Sequence, residues 1–251
     1  MHNYLNLRGG LGNQIIQISY ILSISKQLIV NVNAVTLRPQ INKIDSIKYV
    51  DSKILNLVLG VIRKLVSIVA QVPTDIRIYR FYDGYFQYEN NHMLIHSTVK
   101  KILIRQIYID PKFSKIDIMI HIRGGDYTSL KSQKMYEKVS IEYYIEAMNL
   151  ALKMCKKINP IILVISNELS LAEEVTQEIR SLNSGINIDH YNGDEWSDFS
   201  AIYRSDIAII PNSTFSYVAR VLNGKGKTIC PDKWYKNPKI QAMRSEGFTY
   251  I

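Results

Sequence analysis

The stretch His121-Ile122-Arg123-Gly124-Gly125-Asp126-Tyr127 decides how this chain is read. It follows Lys115-Ile116-Asp117-Ile118-Met119-Ile120, which alternates charged and branched apolar residues before turning wholly apolar. That is the pattern of a strand entering a buried sheet. The strand stops in a glycine pair, with an arginine before it and an aspartate after it. Glycines at a strand end let backbone approach a ligand closely. An arginine there offers a planar fork of donors suited to phosphate. A tight turn carrying a surface ion pair has the same residues, so the flanking chain has to separate the two readings.

Downstream, strands and helices alternate. Ser140 to Lys157 is an amphipathic helix, with Glu142, Glu146 and Lys153 outward and Ile141, Tyr144, Ala147 and Ala151 inward. Strands are expected at Ile161–Ile165, Ile186–His190, Asp206–Ile210 and Lys227–Cys230. Helices are expected from Ser170 to Leu182, from Trp196 to Arg204, and from the polar run Asn212-Ser213-Thr214-Phe215-Ser216 to Leu222. The tail after Pro231 reads as helical. Such alternation means a parallel sheet wound on both faces.

Upstream, Tyr4–Leu7 is a strand that runs into Arg8-Gly9-Gly10-Leu11-Gly12-Asn13-Gln14 and then a helix from Ile15 to Lys26. Strand, glycine turn, helix is a layout that aims backbone N–H groups at an anion. The spacing is not GxGxxG, so the dinucleotide fingerprint is absent. Leu28–Val32 is a second strand, and Ser52 caps a helix from Lys53 to about Gln71, ended by Pro73. Its apolar window, Ile54–Ala70, is interrupted by Asn56, Arg63 and Lys64, too short and too charged to span a bilayer. Packing against a core is expected of it rather than lying along a membrane surface. Ile76–Phe81 reads as a strand, Asp83–Tyr88 as an aromatic loop, and Asn90–Ile107 as helical. Asp110-Pro111 breaks the pattern, dividing an N-terminal lobe, 1–110, from a C-terminal lobe, 111–251, whose tail is free to pack back on the first.

The 251 residues carry a net charge of +9, which suits nucleic acid, an anionic membrane surface or a phosphorylated substrate. The lysines and arginines are scattered, with no basic tail or aromatic–basic stripe, so nucleic acid ranks last. Cys155 and Cys230 are far apart and lack metal-ligand spacing, so neither a disulfide scaffold nor a zinc site is expected. No basic-then-apolar leader opens the chain. A cytoplasmic location is expected, with peripheral contact at the inner membrane as an option. There is neither a P-loop lysine pattern nor a DxD pair for a divalent ion, so no metal is expected. Three polar clusters fall at strand ends: Gly9–Gln14, His121–Tyr127 and Asn212–Ser216. Ligands of open parallel sheets bind at strand ends, although the third cluster equally suits simple helix capping.

Taken in order, these segments resemble bacterial alpha-1,2-fucosyltransferases, glycosyltransferase family 11. Gly9–Gln14 with Gln17 is similar to the family's GGLGNQ-hydrophobic-Q. Gly84-Tyr85-Phe86-Gln87 is similar to its Gly-Tyr-aromatic-Gln, His121–Tyr127 to its HxRRGDY, and Ser140–Ala147 to its tyrosine-pair helix. Ile165-Ser166-Asn167-Glu168 stands where the family often has Phe-Ser-Asp-Asp. Asn212–Ser216 matches NSTFS, and Pro231–Trp234 resembles a late Pro-x-x-Trp. The resemblance implies an α/β fold of the GT-B kind, two Rossmann-like lobes with parallel sheets. It implies metal-independent, inverting transfer of fucose from GDP-fucose, with no cofactor, to a sugar hydroxyl of an oligosaccharide or lipid-linked glycan, such as O2 of a galactose-type residue in O-antigen. Under it, Arg123 binds the diphosphate and steadies the leaving group, and His121 orients the nucleotide side. Asn212, Ser213, Thr214 and Ser216 line the phosphate or ribose. Gly10, Gly12, Asn13 and Gln14 serve the donor from the other lobe. Asp126 is either the base for the acceptor hydroxyl or an anchor of its loop, and Glu168 is the other carboxylate for that task. Three departures stand out. Gly124 replaces the family's second arginine, Ser216-Tyr217-Val218 stands where the family has Ser-Trp-Trp, and Asn167 replaces an acidic residue. A different nucleotide sugar, or a non-catalytic binder, are the alternatives these departures raise.

Overall fold

The computed structural model describes residues 2–33, 35–44, 47–70, 75–78, 80–83, 85–87, 95–108, 115–124, 134–183, 185–191, 193–238, 240 and 243–251. The chain divides into two compact units, Met1–Gln106 and Ile107–Ile251. Asp110-Pro111, the expected boundary, lies outside the described residues.

The first unit holds a sheet in the order β3-β2-β1-β5-β4, formed by β1 (Asn3–Asn6), β2 (Leu28–Asn31), β3 (Ile47–Val50), β4 (Ile76–Ile78) and β5 (Phe81–Asp83). All pairings are parallel except β4 with β5. The single strand expected at Ile76–Phe81 is therefore two, folded as a hairpin, which puts an antiparallel edge on a parallel sheet. Helix α1 (Leu11–Ile24) is buried nearly all round. It buries Leu11, Ile15, Ile16, Ile18, Ile21 and Leu22 against β1 and against α3 (Ser97–Gln106). Helix α2 (Lys53–Ala70) packs on β1, β4 and β5. Ser52 starts it as read from the sequence, its hydroxyl accepting from the N–H of Leu55 at 3.2 Å.

The second unit is a six-stranded sheet in the order β11-β10-β9-β6-β7-β8. Its strands are β6 (Ile118–Ile122), β7 (Ile162–Ser166), β8 (Ile188–Tyr191), β9 (Ile207–Ile209), β10 (Lys227–Cys230) and β11 (Phe248–Tyr250), all parallel. All five residues of β6 are buried, as a central strand covered on both faces requires. Ile118, Ile120 and Ile122 face α4 (Ile141–Cys155) and α5 (Leu169–Leu182), packing among Tyr144, Ala147, Met148, Ala172 and Val175. Two further helices, α6 (Glu195–Arg204) and α7 (Thr214–Asn223), pack on each other, and α6 also packs on β6. The tail is not helical at its end: Phe248–Tyr250 joins the sheet beside Thr228–Cys230. Both units are thus α/β with largely parallel sheets, the two Rossmann-like lobes expected of a GT-B-like fold.

Candidate active site

In each sheet the chain first extends in one direction and then crosses to the other side of its starting strand. The order reverses between β1 and β5 in the first unit and between β6 and β9 in the second. Such a switch point leaves a crevice beyond the strand ends, because the flanking connections leave on opposite faces. The four motifs lie at these two points. Arg8–Gln14 follows β1, Tyr85–Gln87 follows β5, Arg123-Gly124 follows β6, and Asn212–Ser216 follows β9.

At the first switch point Gly9 has φ +75°, and a Cβ on it would meet Asn13 Nδ2 at 2.5 Å. Only glycine fits there. Gln87 Nε2 donates to Asn13 Oδ1 at 2.5 Å, so the motifs after β1 and β5 meet. Gln14 is fully buried. Its amide donates to Gly9 O at 2.9 Å and Thr36 O at 3.0 Å, and its Oε1 accepts from Arg38 N at 3.3 Å. Gln17 likewise donates to Arg8 O at 2.7 Å and accepts from Arg8 N at 3.0 Å. These glutamines brace the loop. Gly10 is exposed, caps α1 without a side-chain bond, and has open space where a Cβ would stand. The N–H groups of the first turn, including those of Leu11 and Gly12, have no acceptors within the helix.

A row the sequence did not single out lies on the α2 side of the same strand ends. Asn31, Asn6 and Asp83 are register partners on neighbouring strands. Asn31 Nδ2 donates to Asn6 Oδ1 at 2.9 Å, Asn6 Nδ2 donates to Asp83 Oδ2 at 3.0 Å, and Arg8 Nη2 donates to Asp83 Oδ2 at 2.8 Å. The hydrogen bonds and charge of Asp83 push the Arg8 guanidinium pKa up against the opposing cost of burial. The visible signal was a polar residue at the end of three otherwise apolar strands.

At the second switch point, alternation along β6 turns His121 away from the α4 face and toward α7, where its ring lies 5.8 Å from that of Phe215. His121 is 7% exposed. Burial, with the nearby charge of Arg123, lowers its pKa to about 3, so the imidazole is neutral. Its Nδ1 finds no hydrogen-bond partner among the described residues. Arg123 continues on the same side, and its Nη1 donates to Ser213 Oγ at 3.1 Å. Ser213 is the N-cap of α7 but makes no side-chain cap bond, so its hydroxyl orients the guanidinium instead. Ser216 Oγ donates to Ser213 O at 3.3 Å, and Asn212 Nδ2 donates to Glu137 O at 2.8 Å and Trp234 O at 3.3 Å. Asn212 thus pins the loop, while Thr214 is half-buried at the helix start. An arginine held at a helix N-terminus is suited to an anionic oxygen.

The tyrosine pair, matched to a motif in the sequence but given no role there, positions the strand ends. Tyr143 and Tyr144 on α4 reach the ends of the strands that flank the switch point. Tyr143 Oη donates to Ile210 O at 2.6 Å, and Tyr144 Oη to His121 O at 3.4 Å. Burial raises both phenol pKa values, so both remain donors. The tandem tyrosine on an otherwise aliphatic helix face was the available signal.

Gly124 donates its N–H to Asn167 Oδ1 at 2.9 Å, which ties β6 to the β7 end. A Cβ on Gly124 would lie 1.6 Å from Glu168 Oε2. The Glu168 carboxylate therefore fills the volume that any side chain at 124 would take. Glu168 is the N-cap of α5 yet makes no side-chain cap bond. Asp126, with Gly125 and Tyr127, lies outside the described residues, as does Gly84.

Switch-point sites at the strand ends of two α/β lobes, one presenting an arginine at a helix N-terminus, suit an anionic ligand such as a phosphate. The chain belongs to glycosyl transferase family 11, whose family model matches residues 61–251. It is a glycosyltransferase, of the fucosyltransferase family that its ordered motifs resemble. No curated protein matches it significantly. Among solved structures it is similar to an E. coli heptosyltransferase WaaC with ADP, at 9% identity and a TM-score of 0.50, covering 100% of this chain and 92% of that one. E. coli ADP-heptose lps heptosyltransferase II follows at 12% identity, TM-score 0.48, with 100% and 90% covered. POFUT1 in complex with GDP follows at 10% identity, TM-score 0.45, with 91% and 97% covered. At such identities the likeness concerns the fold.

Proposed function

We propose that this enzyme transfers fucose from GDP-fucose to a hydroxyl, O2 of a galactose-type residue, on a bacterial surface glycan such as O-antigen, with inversion at the anomeric carbon. The observation that carries the reading is Arg123, oriented by Ser213 at the N-terminus of α7. In this reaction the acceptor oxygen bonds to fucose C1 as the bond from C1 to the β-phosphate oxygen breaks, and GDP leaves with the electron pair. Negative charge grows on the diphosphate. A pre-placed guanidinium and a helix N-terminus act most strongly where that charge develops, so no metal is required in the reading. Neutral His121, with its buried Nδ1, faces the nucleotide side. The acceptor proton goes to a carboxylate, Asp126 or Glu168.

Incubation with GDP-fucose and galactose-terminated oligosaccharides tests this. An α-1,2-linked product, identified by NMR of the anomeric proton, is expected. Absence of transfer from GDP-fucose to any such acceptor sinks it. Asp126→Asn and Glu168→Gln separate the two bases, since only loss of the true base abolishes turnover with GDP binding retained. A second reading, the same reaction with another nucleotide sugar, is favoured by one observation: a carboxylate stands beside Gly124 where the resembled family carries a guanidinium. Hydrolysis of a panel of GDP-, UDP- and CMP-sugars distinguishes them.

A further inference from the structure

Helix α2 is apolar on two sides. Its inner side carries Leu59, 3% exposed, toward the sheet. On the other side Ile54, Leu57, Val58, Val61 and Leu65 follow one another at spacings of one, three and four residues, which gathers them into one arc. They are 77%, 68%, 49%, 50% and 60% exposed. Isolated exposed aliphatic residues need no explanation, but five gathered on one face of a single helix form an interaction surface. Lys53 and Lys64, both exposed, border the arc on one edge, and no Asp or Glu occurs between residues 53 and 70. The core-packed amphipathic helix expected from the sequence accounts only for the inner side.

We infer that this face of α2 docks on the surface of an anionic lipid bilayer. Charge chooses the occupant. A second copy would meet the arc with its own arc, because a two-fold contact pairs the same patch with itself. No acid on either helix then answers the lysines, and an antiparallel pairing sets those of the two copies side by side. Lipid phosphates answer both lysines while the acyl boundary takes up the five aliphatic side chains, the arrangement of an interfacial helix. The net charge of +9 adds longer-range attraction to the same surface. Among the described residues no helix is long and apolar enough to cross a membrane, and docking needs none.

Vesicle co-sedimentation tests the inference independently of the donor and acceptor. The protein should pellet with phosphatidylcholine–phosphatidylglycerol vesicles, less so in high salt, and stay in solution with phosphatidylcholine alone. Leu57→Glu combined with Leu65→Glu should weaken partitioning at least about tenfold, with the circular dichroism spectrum and unfolding midpoint unchanged because both sites are already exposed. Lys53→Glu with Lys64→Glu should abolish the preference for anionic vesicles. Wild-type protein that ignores anionic vesicles, or a Leu57/Leu65 variant that binds them undiminished, overturns it. So does a wild-type dimer in lipid-free sedimentation velocity that the Leu57/Leu65 variant splits, since a second copy is then the occupant.

Discussion

The two switch points use similar sequence materials differently. At β1/β5 the long polar side chains are spent inward. Gln14 and Gln17 bond backbone of their own loops, Asn13 bonds Gln87, and Arg8 bonds Asp83. What faces outward there is backbone, around Gly10. At β6/β9 the backbone is held from behind, by Tyr143, Tyr144 and Asn212, and the Arg123 side chain is set at the helix start by Ser213. The contrast teaches that a conspicuous motif residue can be scaffolding while a modest neighbour carries the chemistry. Glycines follow a strand end and an arginine at both points, but Arg8 at the first is paired with Asp83, whereas Arg123 at the second is held by the Ser213 hydroxyl.

This contrast can be broken by substitution. Arg123→Ala should lower kcat/KM by about two to three orders of magnitude, with the unfolding midpoint little changed. Near-wild-type transfer would remove the difference between the two regions. His121 should show itself in acid. Its folded pKa is depressed to about 3 from an ordinary 6.5, so below about pH 6.5 the unfolded chain binds a proton that the folded chain refuses. Stability attributable to this group is full above that pH and falls toward pH 3, by roughly 1.4 kcal/mol per pH unit. Urea titrations of wild type and His121→Gln across that window should diverge accordingly; parallel curves would contradict the buried neutral imidazole. Gln14→Ala and Gln17→Ala should each cost about 1–3 kcal/mol of stability with kcat nearly unchanged in the folded fraction. A large kcat loss without destabilisation would move Gln14 from brace to ligand contact. The smallest effect is expected of Gly124→Ala, a severalfold change in KM as Glu168 is displaced. In a Glu168→Ala background that change should vanish, which a double-mutant cycle measures.

The second unit was the more legible in sequence. Its strands are short apolar runs bounded by turns, because parallel strands buried on both faces have no polar side to show. Failures elsewhere have physical causes. β4 and β5 merged into one expected strand because no glycine or proline punctuates Ile76–Phe81. The tail read as helix because the three residues of β11 owe their form to pairing with β10, a tertiary effect. α2 was recognised, yet periodicity could not say that one of its apolar sides stays exposed, since nothing local distinguishes an inner stripe from an outer one. At the site, residue types at strand ends pointed to Arg123 and Ser213, which do meet. That Gln14 would be consumed internally, or that Tyr143 and Tyr144 would hold two strand ends, depends on contacts across dozens of residues.

The meeting of Gly124 and Glu168 bears on how this chain can change. A methyl group alone at 124 collides with the carboxylate, so an arginine cannot be restored there while Glu168 keeps its pose. Replacing Glu168 alone leaves a hollow over Gly124, with no charge of either sign. Each single step away from the present pair leaves the two side chains displaced or the space unfilled, and only the joint exchange reaches another filled arrangement. The two positions, 44 residues apart, are therefore coupled, and one-at-a-time mutational scans will miss the joint exchange that refills the space.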